Sequence, residues 1–123
     1  MNLIEQIVDA TVQGDEERCV TLAQRVLDEG MNPVELLAGS LGACIAIMVQ
    51  TYCDSHGYTD GEVGASLTLE IADDPKRVGT VVIDLELPND FPEGKKSVVK
   101  RIAALCPVHE TLKQMPTVDL DIV

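Results

Sequence analysis

From Leu36 to Cys53 the chain runs through eighteen residues without a charge, LLAGSLGACIAIMVQTYC, and no other stretch restricts the possible folds as much. Pro33 suits the first position of a helix and Asn32 can cap it, so the run is predicted to be one long helix. Its apolar length is at the lower limit for crossing a bilayer, but Gly39, Ser40, Gly42, Gln50 and Thr51 interrupt it and no basic residues flank it. No membrane is therefore expected. A helix that is apolar on all sides is otherwise a buried central helix, and Ala38, Gly39, Ser40, Gly42 and Ala43 would let another backbone approach closely. A chain of 123 residues offers little cover for such a helix, which points to a homodimer in which a second subunit completes the burial.

The rest of the chain reads as a single α+β domain over residues 1–123, with residues 1–31 forming a helical hairpin. In the first helix, Asn2 to Gln13, the residues Leu3, Ile4, Ile7, Val8 and Val12 share a face. Gly14 ends that helix, Asp15 can cap the next, and Gly30 closes it. Cys19, Val20, Leu22, Ala23, Val26 and Leu27 are expected to face inward. After His56 and Gly57, alternation over Glu62 to Ala72 predicts a strand with Val63, Ala65, Leu67, Leu69 and Ile71 inward. Asp73 to Lys76 turns the chain into an antiparallel partner, Arg77 to Leu87, with Val81, Ile83, Leu85 and Leu87 on one face. A helix from Lys95 to Leu105 follows and stops at Cys106, because Pro107 disfavours helical geometry in the residue before it. Pro107 to Gln114 restarts as a short helix, and Thr117 to Val123 reads as a last strand with Val118, Leu120 and Ile122 inward.

Charge excludes one class of partner. Nine basic residues face twenty-one acidic ones for a net charge of −12, and only two tyrosines and one phenylalanine are available for stacking, so nucleic acid is not expected. The N-terminus carries no basic leader or cleavage site, which argues for the cytoplasm. In that compartment four cysteines are thiols rather than structural bridges. They contain no C-x2-C pair, and the two histidines stand alone, so no metal and no cofactor are expected. The segment from Gly14-Asp15-Glu16-Glu17 to Leu36 resembles the helical cap of corrinoid-binding proteins. The cobalamin-ligand pattern Asp-x-His-x-x-Gly is missing, however, and Asp54-Ser55-His56-Gly57 has the wrong glycine offset.

Two cysteines carry the remaining chemistry: Cys44 in the uncharged run, and Cys106, sixty-two positions later, in RIAALCPVHETL. Cys106 falls at the N-cap of the short helix, where thiolates are favoured. His109, three residues on, could act as a local cation or proton donor, and otherwise as a capping or surface residue. Cys19 and Cys53 read as small core residues, and His56 as a surface residue at a helix end.

NPVELLAGSLGACIAIMV, followed by a strand hairpin, a helix and RIAALCPVHETL, resembles the OsmC/Ohr family of cysteine peroxidases over Asn32 to Val123, about three-quarters of the chain. The resemblance implies an intertwined homodimer with the central helices inside and an apolar pocket that includes residues such as Leu41, Ile45 and Met48. It implies that Cys44 is the peroxidatic and Cys106 the resolving cysteine. The substrate would be a small apolar hydroperoxide, and a dithiol reductant would close the cycle. The helical hairpin would replace the family's N-terminal strands. In the peroxidase branches a glutamate two residues after the motif asparagine holds an active-site arginine. Here Val34 occupies that place, with Glu35 beside it, about 100° round the helix. Arg18 and Arg25 match no arginine motif. An apolar pocket without a guanidinium is expected to raise the Cys44 pKa. The alternative is a non-catalytic member of the fold that binds an apolar ligand or a partner.

Overall fold

The structure, a computed structural model, describes residues 6, 7, 10, 13–30 and 32–123, with the side chains of 26 and 27 left aside. Most of the predicted first helix, and the inward placement of Val26 and Leu27, lie outside the described residues. Four helices follow one another with a strand hairpin between the second and third: α1 (Glu16–Asp28), α2 (Pro33–Ser55), β1 (Gly64–Ala72), β2 (Arg77–Glu86), α3 (Lys96–Ala104) and α4 (Pro107–Lys113). A 3-10 turn, Glu93–Lys95, leads into α3. The architecture is α+β, as expected, with one two-stranded antiparallel sheet.

The helix ends are built from local chemistry. Asp15 accepts the Arg18 amide at 3.0 Å and Asn32 accepts the Val34 amide at 2.9 Å, each capping the start of its helix. Gly30 takes φ +93° after α1, a left-handed geometry that a side chain would strain. Contacts divide the chain into two compact units, and α2 contributes its first half to one and its second half to the other.

In the first unit, the described residues up to Ala43 join Ala65–Leu85. Leu22, Ala38 and Leu41 are buried. Helix and strand come together at Gly42, where a Cβ would lie 2.6 Å from Leu67 Cδ1 and 3.2 Å from its Cγ. A small residue is therefore required there for β1 to reach α2. Ala65, Leu67 and Leu69 of β1 and Val81, Ile83 and Leu85 of β2 are half-buried, which bears out the alternation. Ile71 and Val20 were expected inward but are 49% and 71% exposed. Periodicity assigns a face, but nothing in the described chain covers the end of β1 or that side of α1.

In the second unit, Cys44–Gly64 joins Glu86–Val123, and Ile45, Val49, Cys53, Phe91, Val99 and Cys106 are buried. Gln50 ties the helix to the following chain: its Oε1 accepts the Val63 amide at 2.8 Å while its Nε2 donates to Asp54 at 2.8 Å. Asp90 accepts the amides of Thr59 and Asp60, each at 3.2 Å. Tyr52, His56, Tyr58 and Phe91 form one ring cluster, with Tyr52 and His56 stacked at 4.0 Å. Helix α3 ends one residue early, leaving Leu105, predicted on its apolar face, 69% exposed.

One expectation is corrected. The predicted last strand does not form: residues 115–123 have no regular structure, and Val118, Leu120 and Ile122 are 75%, 79% and 94% exposed. An alternating segment becomes a strand only beside a strand edge, and none among the described residues receives it. The central helix, whose burial a second subunit was expected to complete, has a third of its most apolar eighteen-residue window buried within the single chain. Its length and mean hydropathy of 1.7 would also suffice to cross a membrane.

Candidate functional site

Cys44 and Cys106 belong to the same compact unit, near enough that the Cys106 side chain acts on the Cys44 thiol. Cys44 projects from the middle of α2, flanked by buried Ile45 and followed one turn later by half-buried Met48. Cys106 is fully buried at the N-cap of α4. It occupies that corner because Pro107 starts the helix, while the Cys106 amide donates back to Ala103 (3.2 Å) and its carbonyl accepts the Glu110 amide (2.9 Å).

The first turn of α4 also supplies a donor to the pair. The Val108 amide, which has no partner four residues earlier in its helix, acts on the Cys44 thiol and favours its thiolate. Burial nevertheless pushes the Cys44 thiol above its ordinary value of 9.0. The Cys106 thiol adds to that rise, and only the Val108 amide opposes it. No guanidinium is among the groups acting on Cys44, so the expectation of a raised thiol is met. The arrangement keeps two reduced sulfurs near each other, the first of them held protonated by its burial.

The other candidates fall elsewhere. Glu35 is exposed in the first turn of α2, nine residues before Cys44, which is about 13.5 Å of helix rise. His109 lies in the first turn of α4, half-buried, with its Nδ1 buried and unpartnered. Cys53 is fully buried, and its thiol is raised by burial first and then by Asp54 and Asp90. Both features suit an inert core thiol. His56 Nδ1 donates to the Tyr52 carbonyl at 2.8 Å and closes the exposed end of α2. Cys19 is half-buried in α1, and none of the four cysteines is in a disulfide. Among the described residues no three metal-ligating side chains come together.

Sequence reasoning did not find Val108, because its contribution is a backbone amide. The available signal was the Cys-Pro junction: a helix that starts at Pro107 must leave the next amides without partners inside the helix.

A thiol pair, half-buried Cys44 on an apolar central helix and buried Cys106 at a Cys-Pro helix start in an α+β chain, defines the class of protein. The particular family follows from comparison: the chain belongs to the family described as OsmC-like protein, whose pattern matches residues 26–121. Among solved structures, a protein of Psychrobacter arcticus 273-4 named for osmotic stress induction and detoxification response is similar, with a TM-score of 0.60 and 25% identity. The likeness covers 65% of this chain and 58% of that one, so the present chain matches little more than half the length of its relative. No curated protein matches the sequence.

Proposed function

We propose that this chain reduces organic hydroperoxides with its cysteine pair, Cys44 attacking and Cys106 resolving. One observation carries the reading: the two cysteines, sixty-two residues apart in sequence, lie near each other in one compact unit. The Cys44 sulfur, once deprotonated, attacks the terminal peroxide oxygen; the O–O bond breaks, an alkoxide leaves, and Cys44 becomes a sulfenic acid. The Cys106 sulfur then displaces hydroxide, which leaves as water, and a disulfide forms before further oxidation can make the change irreversible. A dithiol reductant restores both thiols and is itself oxidised to a disulfide. Apolar neighbours such as Ile45 and Met48 favour an alkyl or aryl hydroperoxide over hydrogen peroxide. Thiol chemistry of this kind suits the reducing cytoplasm.

A homodimer is part of the proposal. Two apolar surfaces lack cover in the single chain: most of the uncharged window of α2, and the alternating tail from Val118 to Ile122. A second copy would cover both by the intertwining that the family resemblance implies. Sedimentation at micromolar concentration tests this, and a monomer would overturn it.

The function is tested by following consumption of cumene hydroperoxide with dithiothreitol as reductant. Loss of turnover in Cys44→Ser supports the proposal, and equal rates in wild type and variant would sink it. A second reading rests on the raised Cys44 thiol and the lack of a guanidinium acting on it. It describes a non-catalytic OsmC-like protein that binds an apolar ligand or a partner, and it predicts no turnover in either protein.

A further inference from the structure

The corner that carries Cys106 contains one polar atom whose bonding capacity is unused. Nδ1 of His109 is buried and has no partner, and no hydrogen bond joins the ring to either sulfur. Chains rarely leave such an atom without a purpose, because its lost hydration goes uncompensated. The ring as a whole is only half-buried, so its opposite edge meets solvent. His109 also follows directly on Val108, whose amide acts on the Cys44 thiol, and it stands three residues after Cys106 at the same helix start. Adjacent Cα atoms are about 3.8 Å apart, which puts the imidazole within side-chain reach of whatever meets Cys44.

On its own helix, Glu110 and Lys113 pair with each other at 3.2 Å. Cys106 stands at the N-cap of that helix and acts on Cys44 of α2. The reaction of Cys44 also needs what this atom can supply. A thiol must lose a proton before it attacks, an alkoxide must gain one as it leaves, and no guanidinium acts on the sulfur.

We propose that His109 is the proton carrier of the Cys44 reaction, its neutral imidazole taking the thiol proton through Nδ1 and returning it to the departing alkoxide. The inference rests on the peroxidase reading above. The S–H and O–O bonds break and an S–O and an O–H bond form. Sulfur is oxidised by two electrons, the peroxide is reduced by two, and the one proton passes from sulfur to nitrogen to oxygen. Cys44 thiol and hydroperoxide thus become sulfenic acid and alcohol with no net exchange of protons with solvent.

The test uses His109→Asn and His109→Gln in the full chain, neither of which can carry a proton although both can form a hydrogen bond. Diamide, which oxidises dithiols without a peroxide, is expected to join Cys44 to Cys106 at the wild-type rate in both variants. Consumption of cumene hydroperoxide is expected to fall by roughly 100-fold in both, with partial recovery on adding free imidazole. Hydroperoxide rates within about twofold of wild type in both variants would overturn this role while leaving the peroxidase reading intact. Failure of diamide to join the cysteines in the variants would make His109 structural and also overturn it. A wild-type protein that diamide oxidises but that consumes no hydroperoxide would remove both readings together.

Discussion

Joining Cys44 to Cys106 should change stability by an amount that the chain itself fixes. The closed loop spans sixty-two residues, and the entropy removed from the unfolded chain by a cross-link of that length corresponds to about 4 kcal/mol at 25 °C. Because the two cysteines lie near each other and Cys106 is fully buried in the reduced chain, the bond is expected to form with little rearrangement and most of that stabilisation should survive. With a urea slope of about 2 kcal/mol per molar, the midpoint should rise by roughly 2 M on oxidation. The assay is equilibrium urea unfolding of reduced and diamide-oxidised protein at one fixed protein concentration, with the linkage confirmed by peptide mapping. An oxidised protein that maps to Cys44–Cys106 but unfolds at the same or lower urea would mean that closing the bond distorts the fold. The two sulfurs would then not be poised as described.

Four further outcomes follow from the structure. Since burial holds Cys44 above its ordinary 9.0, its thiolate at pH 7 should stay below roughly one part in a hundred, and alkylation by iodoacetamide should climb only in alkaline solution; half-maximal labelling near neutrality, read by mass spectrometry, would contradict this. For stability the sign is the same for Cys44 and Cys53: the folded chain holds both protons more tightly than the unfolded one, so their contribution is complete below about pH 8.5 and is lost as pH rises through the folded values. Thermal melts across pH 7–10 should show that loss, and it should shrink in Cys53→Ala. At Gly42, alanine gains about 1 kcal/mol of helix propensity but sets a methyl 2.6 Å from Leu67 Cδ1, an overpacking cost of about 1–3 kcal/mol. Gly42→Ala should therefore be neutral to destabilising by up to about 2 kcal/mol, and adding Leu67→Ala should cancel the clash, giving strong non-additivity in urea unfolding. Gln50→Ala leaves the part-buried Val63 amide without its acceptor and should cost about 1–2 kcal/mol in the same assay.

What the sequence discloses depends on how far apart the interacting residues lie. Asp15, Gly30 and Asn32 were legible because a cap or a left-handed residue acts within three or four positions, and each sits where local chemistry puts it. The alternation of β1 and β2 was legible for the same reason. Ile71, Leu105 and the tail from Val118 to Ile122 were not, because an apolar residue at the right period declares which way it faces and not whether anything arrives to cover it. The pairing of Cys44 with Cys106 has no local signature either, and it came from the resemblance of two separated motifs to one family.

The protonation of Cys44 is set by a competition that neither the motifs nor the fold decides alone. Removing the sulfur from water raises the thiol, the neighbouring Cys106 raises it further, and one backbone amide from Val108 is too little to offset them. A peroxidatic cysteine can meet that deficit in two ways. A fixed cation can hold the thiolate before substrate arrives, or a base can take the proton during the attack. None of the groups acting on Cys44 supplies the first, and the second is the role proposed for His109, whose Nδ1 is buried without a partner. The two differ in what resting protein shows: a fixed cation gives a thiolate that alkylates at neutral pH, and a transient base gives a thiol that alkylates slowly yet turns over with hydroperoxide. Slow labelling of Cys44 together with rapid peroxide consumption is therefore the combination that this geometry requires.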